Sequence, residues 1–188
     1  MTTFNLYTDG AATMRKVGDE YVREAGGFAY AILDDSNELI MSAYGGTPST
    51  TNNAMELEAI YNGLYKIYNM AANVVGFANI RIYTDSAYCI NIFTQWIRGW
   101  KANGWTRGKK HEPIENVELI KAIYELIEGL DKLFVGVEWV KVKGHSGDKW
   151  NEYVDSCAVE GKTRAAKLDG NLYIEGYYFV KGVDIPKK

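Results

Sequence analysis

The stretch from Thr50 to Tyr68 constrains the fold more than any other part of the chain. Thr50-Thr51-Asn52-Asn53 is a helix-start signal, and after it Leu57, Ile60, Tyr61, Leu64, Ile67 and Tyr68 recur at i, i+3, i+4 spacing. That period predicts an amphipathic helix whose apolar face has to be covered. The flanking segments supply the cover. Phe4 to Thr8, Gly26 to Leu33 and Leu39 to Tyr44 read as strands, with the Asp34-Asp35-Ser36-Asn37 cluster as a turn. Beyond the helix, residues 79–84 read as a buried strand and Ser86 as the cap of a helix running toward Trp96. Residues 116–130 repeat the helical period through Val117, Ile120, Ile123, Tyr124 and Ile127, and residues 134–142 read as a strand. A last helix covers 148 to about 167, with Trp150, Val154, Cys157 and Ala158 on its inner stripe. The order β-β-β-α-β-α-α-β-α predicts an α/β domain: a mixed five-stranded sheet flanked by helices, antiparallel in the early hairpins and parallel where helices intervene.

Residues 10–25 are charged without a clear period and read as a loop. The expected organisation is one domain over residues 1–168, followed by an extension, 169–188, rich in Tyr and Gly, to which the sequence assigns no role. A chain of 188 residues can bury a full core without metal or disulfide staples. Cys89 and Cys157 are expected to be free thiols. No stretch is apolar enough to span a bilayer, and the first residues lack the basic and apolar regions of a signal peptide, so the expected location is cytoplasmic, with no membrane partner.

Four acids stand out. Asp9 follows the first strand and precedes Gly10, Glu56 lies three residues after Asn53, Asp85 ends a strand, and Asp155 borders the inner stripe of the last helix. Each has an ordinary structural reading: a turn residue, a capping-box partner, a helix cap, a solvated carboxylate. Taken together they say more. Two sit at carboxyl ends of strands, where open α/β sheets place ligands, and two sit on helices that pack on such a sheet. Four converging carboxylates repel one another unless cations neutralise them, and carboxylate ligands suit Mg²⁺ or Mn²⁺.

The segments Tyr7-Thr8-Asp9-Gly10, Thr51-Asn52-Asn53-Ala54-Met55-Glu56-Leu57, Thr84-Asp85-Ser86 and Lys143-Gly144-His145-Ser146-Gly147, followed by Asn151 and Asp155, resemble the signature segments of type 1 ribonuclease H, in that family's order. The resemblance covers about residues 3–165. It implies a ribonuclease H-like fold and an endonuclease that cuts the RNA strand of RNA–DNA hybrids with two Mg²⁺ ions, Mn²⁺ being able to substitute. By resemblance, Asp9, Glu56, Asp85 and Asp155 are metal ligands, Asp9 bridging both ions. His145, in a glycine-bounded loop, assists proton balance or product release.

For the partner, an RNA–DNA hybrid, the resemblance implies that the Thr51-Asn52-Asn53 turn contacts the RNA minor groove and a DNA phosphate. Amide side chains donate and accept, which suits a 2′-hydroxyl. Trp96, Trp100, Lys101 and Trp105 fall in a segment implied to grip the DNA strand, and Asn116 matches a DNA-phosphate pocket residue. Net charge is −3, which argues against nucleic acid, yet Arg98, Lys101, Arg107, Lys109 and Lys110 cluster with no acid among them. Trp96 and Trp100, four apart, also suit plain core packing.

Three departures from the family stand out. Residues 11–24 are longer and more charged than the family's usual loop, so RNA contacts cannot be carried over there. Ser49 stands where many members have Arg, and the tail has no counterpart. Alternatives are the ribonuclease H domain of a larger reverse-transcriptase-like protein, a non-catalytic hybrid-binding module, and a phosphate-handling ATPase or sugar kinase on a related fold. The third lacks its further glycine-rich loops here. The initiator Met and the basic Trp segment favour a free-standing enzyme, the first strand beginning almost at once argues against a separate N-terminal hybrid-binding module, and a monomer is expected.

Overall fold

The structure is a computed structural model that describes residues 2–71, 78–144 and 147–176. Its sheet has six strands, β1 (Thr2–Val17), β2 (Glu20–Leu33), β3 (Leu39–Thr47), β4 (Ala78–Thr84), β7 (Gly136–Lys141) and β8 (Leu172–Glu175), in the order β7-β4-β1-β2-β3-β8. β5 (Thr106–Arg107) and β6 (Glu112–Pro113) form a separate two-stranded ladder. β1 pairs with β4, and β4 with β7, in parallel; the other pairings are antiparallel, as the intervening helices require. α1 (Asn52–Ala71) and α4 (Val117–Lys132) cover one face, α5 (Lys149–Leu168) the other, and α2 (Ala87–Asn91) leads through a π-helical turn (Ile92–Trp96) into α3 (Ile97–Ala102).

Strand alternation explains the two layers. Leu6, Tyr30 and Ile32 join Leu57, Ile60, Leu64 and Ile67 of α1, while Tyr7, Ala29, Ala31 and Leu33 join Tyr153, Val154, Cys157 and Ala158 of α5. The four α1 side chains are fully buried, each contributing about 1.5–3 kcal/mol relative to exposure. The π turn has a local cause. In a 3.6-residue helix, positions five apart diverge by roughly 140°. The Ile97 amide instead bonds the Ile92 carbonyl, so Ile92 and Ile97 both reach the core and Trp96 is left outside.

The sheet departs from the sequence reading twice. It has six strands rather than five, because the tail adds β8 against β3, Glu175 opposite Ala43 through Leu172 opposite Gly46. Hydroxyls from both layers fasten it: Tyr30 to Tyr173 at 2.7 Å, Ser42 to Tyr153 at 2.7 Å, and Ser42 to the Gly176 carbonyl at 2.7 Å. Residues 10–25, read as a loop, are the far half of the β1–β2 hairpin, with Val17 opposite Glu20 and Gly18 turning at φ +64°. From residue 13 to 23 both faces of that part are exposed, so no apolar alternation marks it. Cys89 and Cys157 are buried free thiols, and no helix of the described residues is long and apolar enough to cross a membrane.

Candidate active site

Asp9 lies within β1, not in a turn after it, and Gly10 serves a different purpose from the one its dipeptide suggests. A Cβ built on Gly10 would stand 2.4 Å from the Glu56 nitrogen and 2.6 Å from the Met55 carbonyl carbon. Only glycine lets the first turn of α1 lie on β1. That contact sets Glu56 against Asp9. Asp85 arrives from the carboxyl end of β4, parallel to β1 with Tyr83 opposite Tyr7. The ordinary capping roles are filled by neighbours. Thr51 Oγ1 accepts from the Ala54 amide at 3.2 Å, and Ser86 Oγ from the Cys89 amide at 3.2 Å. Glu56 and Asp85 are therefore not needed as caps.

One carboxylate oxygen from each of Asp9, Glu56 and Asp85 lies within 4.8 Å of the others. Asp9 is 4% exposed and Glu56 3%. Burial, then the charges of Glu56 and Asp85, then a hydrogen bond to Asp155 and its charge, push the Asp9 carboxyl far above the ordinary carboxylate range. Burial and Asp85 push Glu56 up as well; the neighbouring Asp9 side chain and the Gly10 amide oppose that rise without cancelling it. Glu56 Oε2 is buried without a hydrogen-bond partner among the described residues. A buried carboxylate oxygen facing other carboxylates fits a divalent cation, which would supply the missing contact and relieve the repulsion.

Asp155, on α5 in the opposite layer, neighbours Asp9 but stands outside the three acids whose oxygens converge, and α5 lies close to the sheet. A Cβ on Gly161 would be 2.1 Å from the Gly45 carbonyl oxygen, and one on Gly27 would be 2.0 Å from that of Ala158. The sequence reading missed these glycines. Their signal is present only as isolated Gly within strand and helix patterns. His145 lies outside the described residues. Gly144 beside it is placed, and a Cβ there would be 3.1 Å from Asp85 Oδ2. Lys141 Nζ donates to the Asp85 carbonyl, a contact also not foreseen.

The residues read as substrate-binding divide into two groups. Asn52 and Asn53 are exposed at the start of α1, Thr51 is half-buried, and Asn52 Oδ1 accepts the Ala12 amide at 3.3 Å. Asn116, at φ +59° before α4, lines a groove of ≈ 670 Å³ with Thr50, Ala54, Glu58 and Glu118. Trp96 is exposed and stacks at a tilt on Trp100, 5.7 Å between rings. Trp105 instead packs edge-on against Tyr124, and Lys101 is turned to the same ring at 4.9 Å and to Glu128 at 3.5 Å. Arg107 pairs with Glu112 at 3.6 Å, whereas Lys109 and Lys110 are exposed.

Fold and site together define a mixed-sheet α/β protein with a carboxylate cluster able to hold a divalent cation. The chain belongs to the RNase H family, whose sequence model matches residues 1–163. It is 36% identical over 165 residues to a ribonuclease H of Treponema denticola, covering 82% of this chain and 94% of that protein. With a ribonuclease H of Wolbachia pipientis wMel it shares 38% over 153 residues, covering 81% and 90%. Solved structures share the fold. LC9-RNase H1, a type 1 RNase H with the type 2 active-site motif, superposes with a TM-score of 0.67 at 23% identity over 90% of this chain and 76% of that one. LC11-RNase H1 in complex with RNA/DNA hybrid superposes with 0.56 at 18%, over 86% and 98%.

Proposed function

We propose that this protein is an endonuclease that hydrolyses the RNA strand of RNA–DNA hybrids, leaving 3′-hydroxyl and 5′-phosphate ends, with Asp9, Glu56, Asp85 and Asp155 holding two Mg²⁺ ions. The observation that carries the reading is the buried Glu56 oxygen, without a partner among the described residues and set among carboxylates in a chain of this family. Bound divalent cations supply the charge that stabilises attacking and leaving oxygens in phosphoryl displacement. The protein's own residues do the rest. Gly10 fixes Asp9 against Glu56, and the glycine contacts under α5 hold Asp155 in range. Asn52 and Asn53, exposed beside this centre, donate to and accept from a ribose hydroxyl, which DNA lacks. Trp96 offers an exposed ring to the nucleic acid, and His145 assists proton balance or product release.

The test is incubation with Mg²⁺ and labelled hybrid, duplex DNA, duplex RNA and single strands. RNA-strand cleavage confined to the hybrid, lost in chelator, is expected. Duplex DNA cut as fast as the hybrid would refute the 2′-hydroxyl reading.

A further inference from the structure

Beyond the cluster, β1 and β2 continue past the core as a two-stranded arm, and residues 13–23 are all exposed. The register sorts its side chains, because cross-strand partners share a face. Met14 stands opposite Arg23 and Lys16 opposite Tyr21, which puts these four on one side. Arg15, Val17, Glu20 and Val22 take the other, where Arg15 is paired with Glu24 at 3.1 Å. The second face mixes charges, as a solvated surface does. The first carries two cations and no carboxylate, with a ring 64% exposed and a thioether 49% exposed between them.

That face has a direction. Arg23 Nη2 reaches Glu115 Oε1 at 3.5 Å, beside Asn116, so it turns toward the layer of α1 and α4. The root of the arm is tied to the turn that starts α1. The Ala12 amide donates to Asn52 Oδ1, and the Thr50 amide donates to the Glu24 carbonyl at 3.0 Å. The arm thus leaves the body beside the exposed Asn52-Asn53 pair, a few residues along β1 from Asp9.

We propose that the Met14–Lys16–Tyr21–Arg23 face is a second contact surface for the nucleic acid, gripping the hybrid beyond the cleavage site; this rests on the hybrid-cleaving function above. Charge complementarity selects a polyanion. Lys16, which makes no ion pair among the described residues, meets phosphate, and Tyr21 and Met14 pack on sugar or base faces. Five residues from Thr13 to the Gly18 tip extend roughly 17 Å, the length of roughly five phosphates along a strand. The arm lengthens the footprint on the hybrid and takes no part in the chemistry.

The experiment compares a long hybrid with one trimmed by roughly five base pairs on the arm side, reading Kd in chelator and KM and kcat in Mg²⁺. Lys16→Glu/Tyr21→Ser should raise Kd and KM for the long hybrid about tenfold, with kcat within about twofold and a salt slope shallower by about 1. Trimming should raise the parent's Kd similarly and add little to the variant's, since both remove one contact. Lys16→Arg/Tyr21→Phe should bind like the parent. An unchanged Kd, additive effects of trimming and substitution, or an equal defect in the conservative variant overturns the proposal. So does a variant that loses only self-association in sedimentation. Because Kd is read without metal, a parent that binds but does not cut refutes the proposed function separately.

Discussion

Replacing Asp9 by Asn should raise the metal-free melting temperature while abolishing cleavage. Two like charges no more than 4.8 Å apart in surroundings of effective dielectric about 20 repel by roughly 3 kcal/mol or more. Asp9 and Glu56 are almost fully buried, so water screens little of this. The folded protein lessens the cost by binding a proton and by relaxation of the site, which brings the expected gain to about 1–3 kcal/mol. For a domain of this size each kcal/mol is worth about 2–4 °C. Asn keeps an Oδ1 to accept the Gly10 amide, so the bond at 3.0 Å survives. The pH dependence follows from the upward shifts of Asp9 and Glu56. A carboxyl whose folded value is raised costs stability above its unfolded value, near pH 4, and costs nothing where both states are protonated. Parent and variant should therefore melt alike below about pH 4 and separate toward neutrality. Mg²⁺ at about 100 times its Kd should add about 2.7 kcal/mol to the parent and less to the variant. Thermal melts in chelator and in Mg²⁺ across this range decide it. A lower metal-free melting point for Asp9→Asn at neutral pH, with identical Mg²⁺ shifts, would refute a single shared carboxylate site.

Gly161→Ala should cost about 1–3 kcal/mol in denaturant melts and reduce cleavage more than stability alone explains, because the new methyl lifts α5, and Asp155 with it, off the Gly45 carbonyl. Unaltered metal affinity would show that the close approach does not position Asp155. His145→Ala should slow turnover yet leave Mg²⁺-dependent cleavage measurable in single-turnover assays, and a loss as severe as that of Asp9→Asn would contradict its assisting role. Lys109→Ala/Lys110→Ala should weaken hybrid binding and lower the salt slope by about 0.7–0.9 per lost phosphate contact. Lys101→Ala should matter less, since its ammonium is engaged by Tyr124 and Glu128; the opposite ranking in a binding titration would defeat this reading.

What the sequence disclosed depended on whether a segment covers the core. α1 and α4 each bury one face, so Leu57 to Ile67 and Ile120 to Leu130 carry the helical period openly. Ser86 was legible as a cap because capping is local. The arm was not legible, since Arg15, Lys16, Glu20 and Tyr21 bury nothing, although Gly18-Asp19 between Val17 and Tyr21 was a hairpin signal in outline. β8 was missed for a related reason: four residues on a sheet edge alternate too briefly to register. The acids were found by their segments, but not what brings them together. Gly10 reads as half of a turn dipeptide and Gly161 as a weak point in a helix, and their purpose depends on backbones distant in sequence.

The tail strand makes the order of synthesis matter. β3 is complete once residue 47 has been made, yet the strand that covers its outer edge at residues 43–46 lies more than a hundred residues later. Until Leu172–Glu175 emerges, a nascent chain presents an edge with two adjacent glycines, Gly45 and Gly46, and no side chain there to deter another strand from adding. The hydroxyl of Tyr30, fully buried in the finished protein, waits for Tyr173 over the same interval. A ribosome stalled before residue 172 would therefore hold an α/β domain with its carboxylate-bearing segments made and its sheet open to aggregation. β8 works as a closing seam: it is short, it lies three strands away from the strand that carries Asp9, and it determines how long the growing sheet stays adhesive.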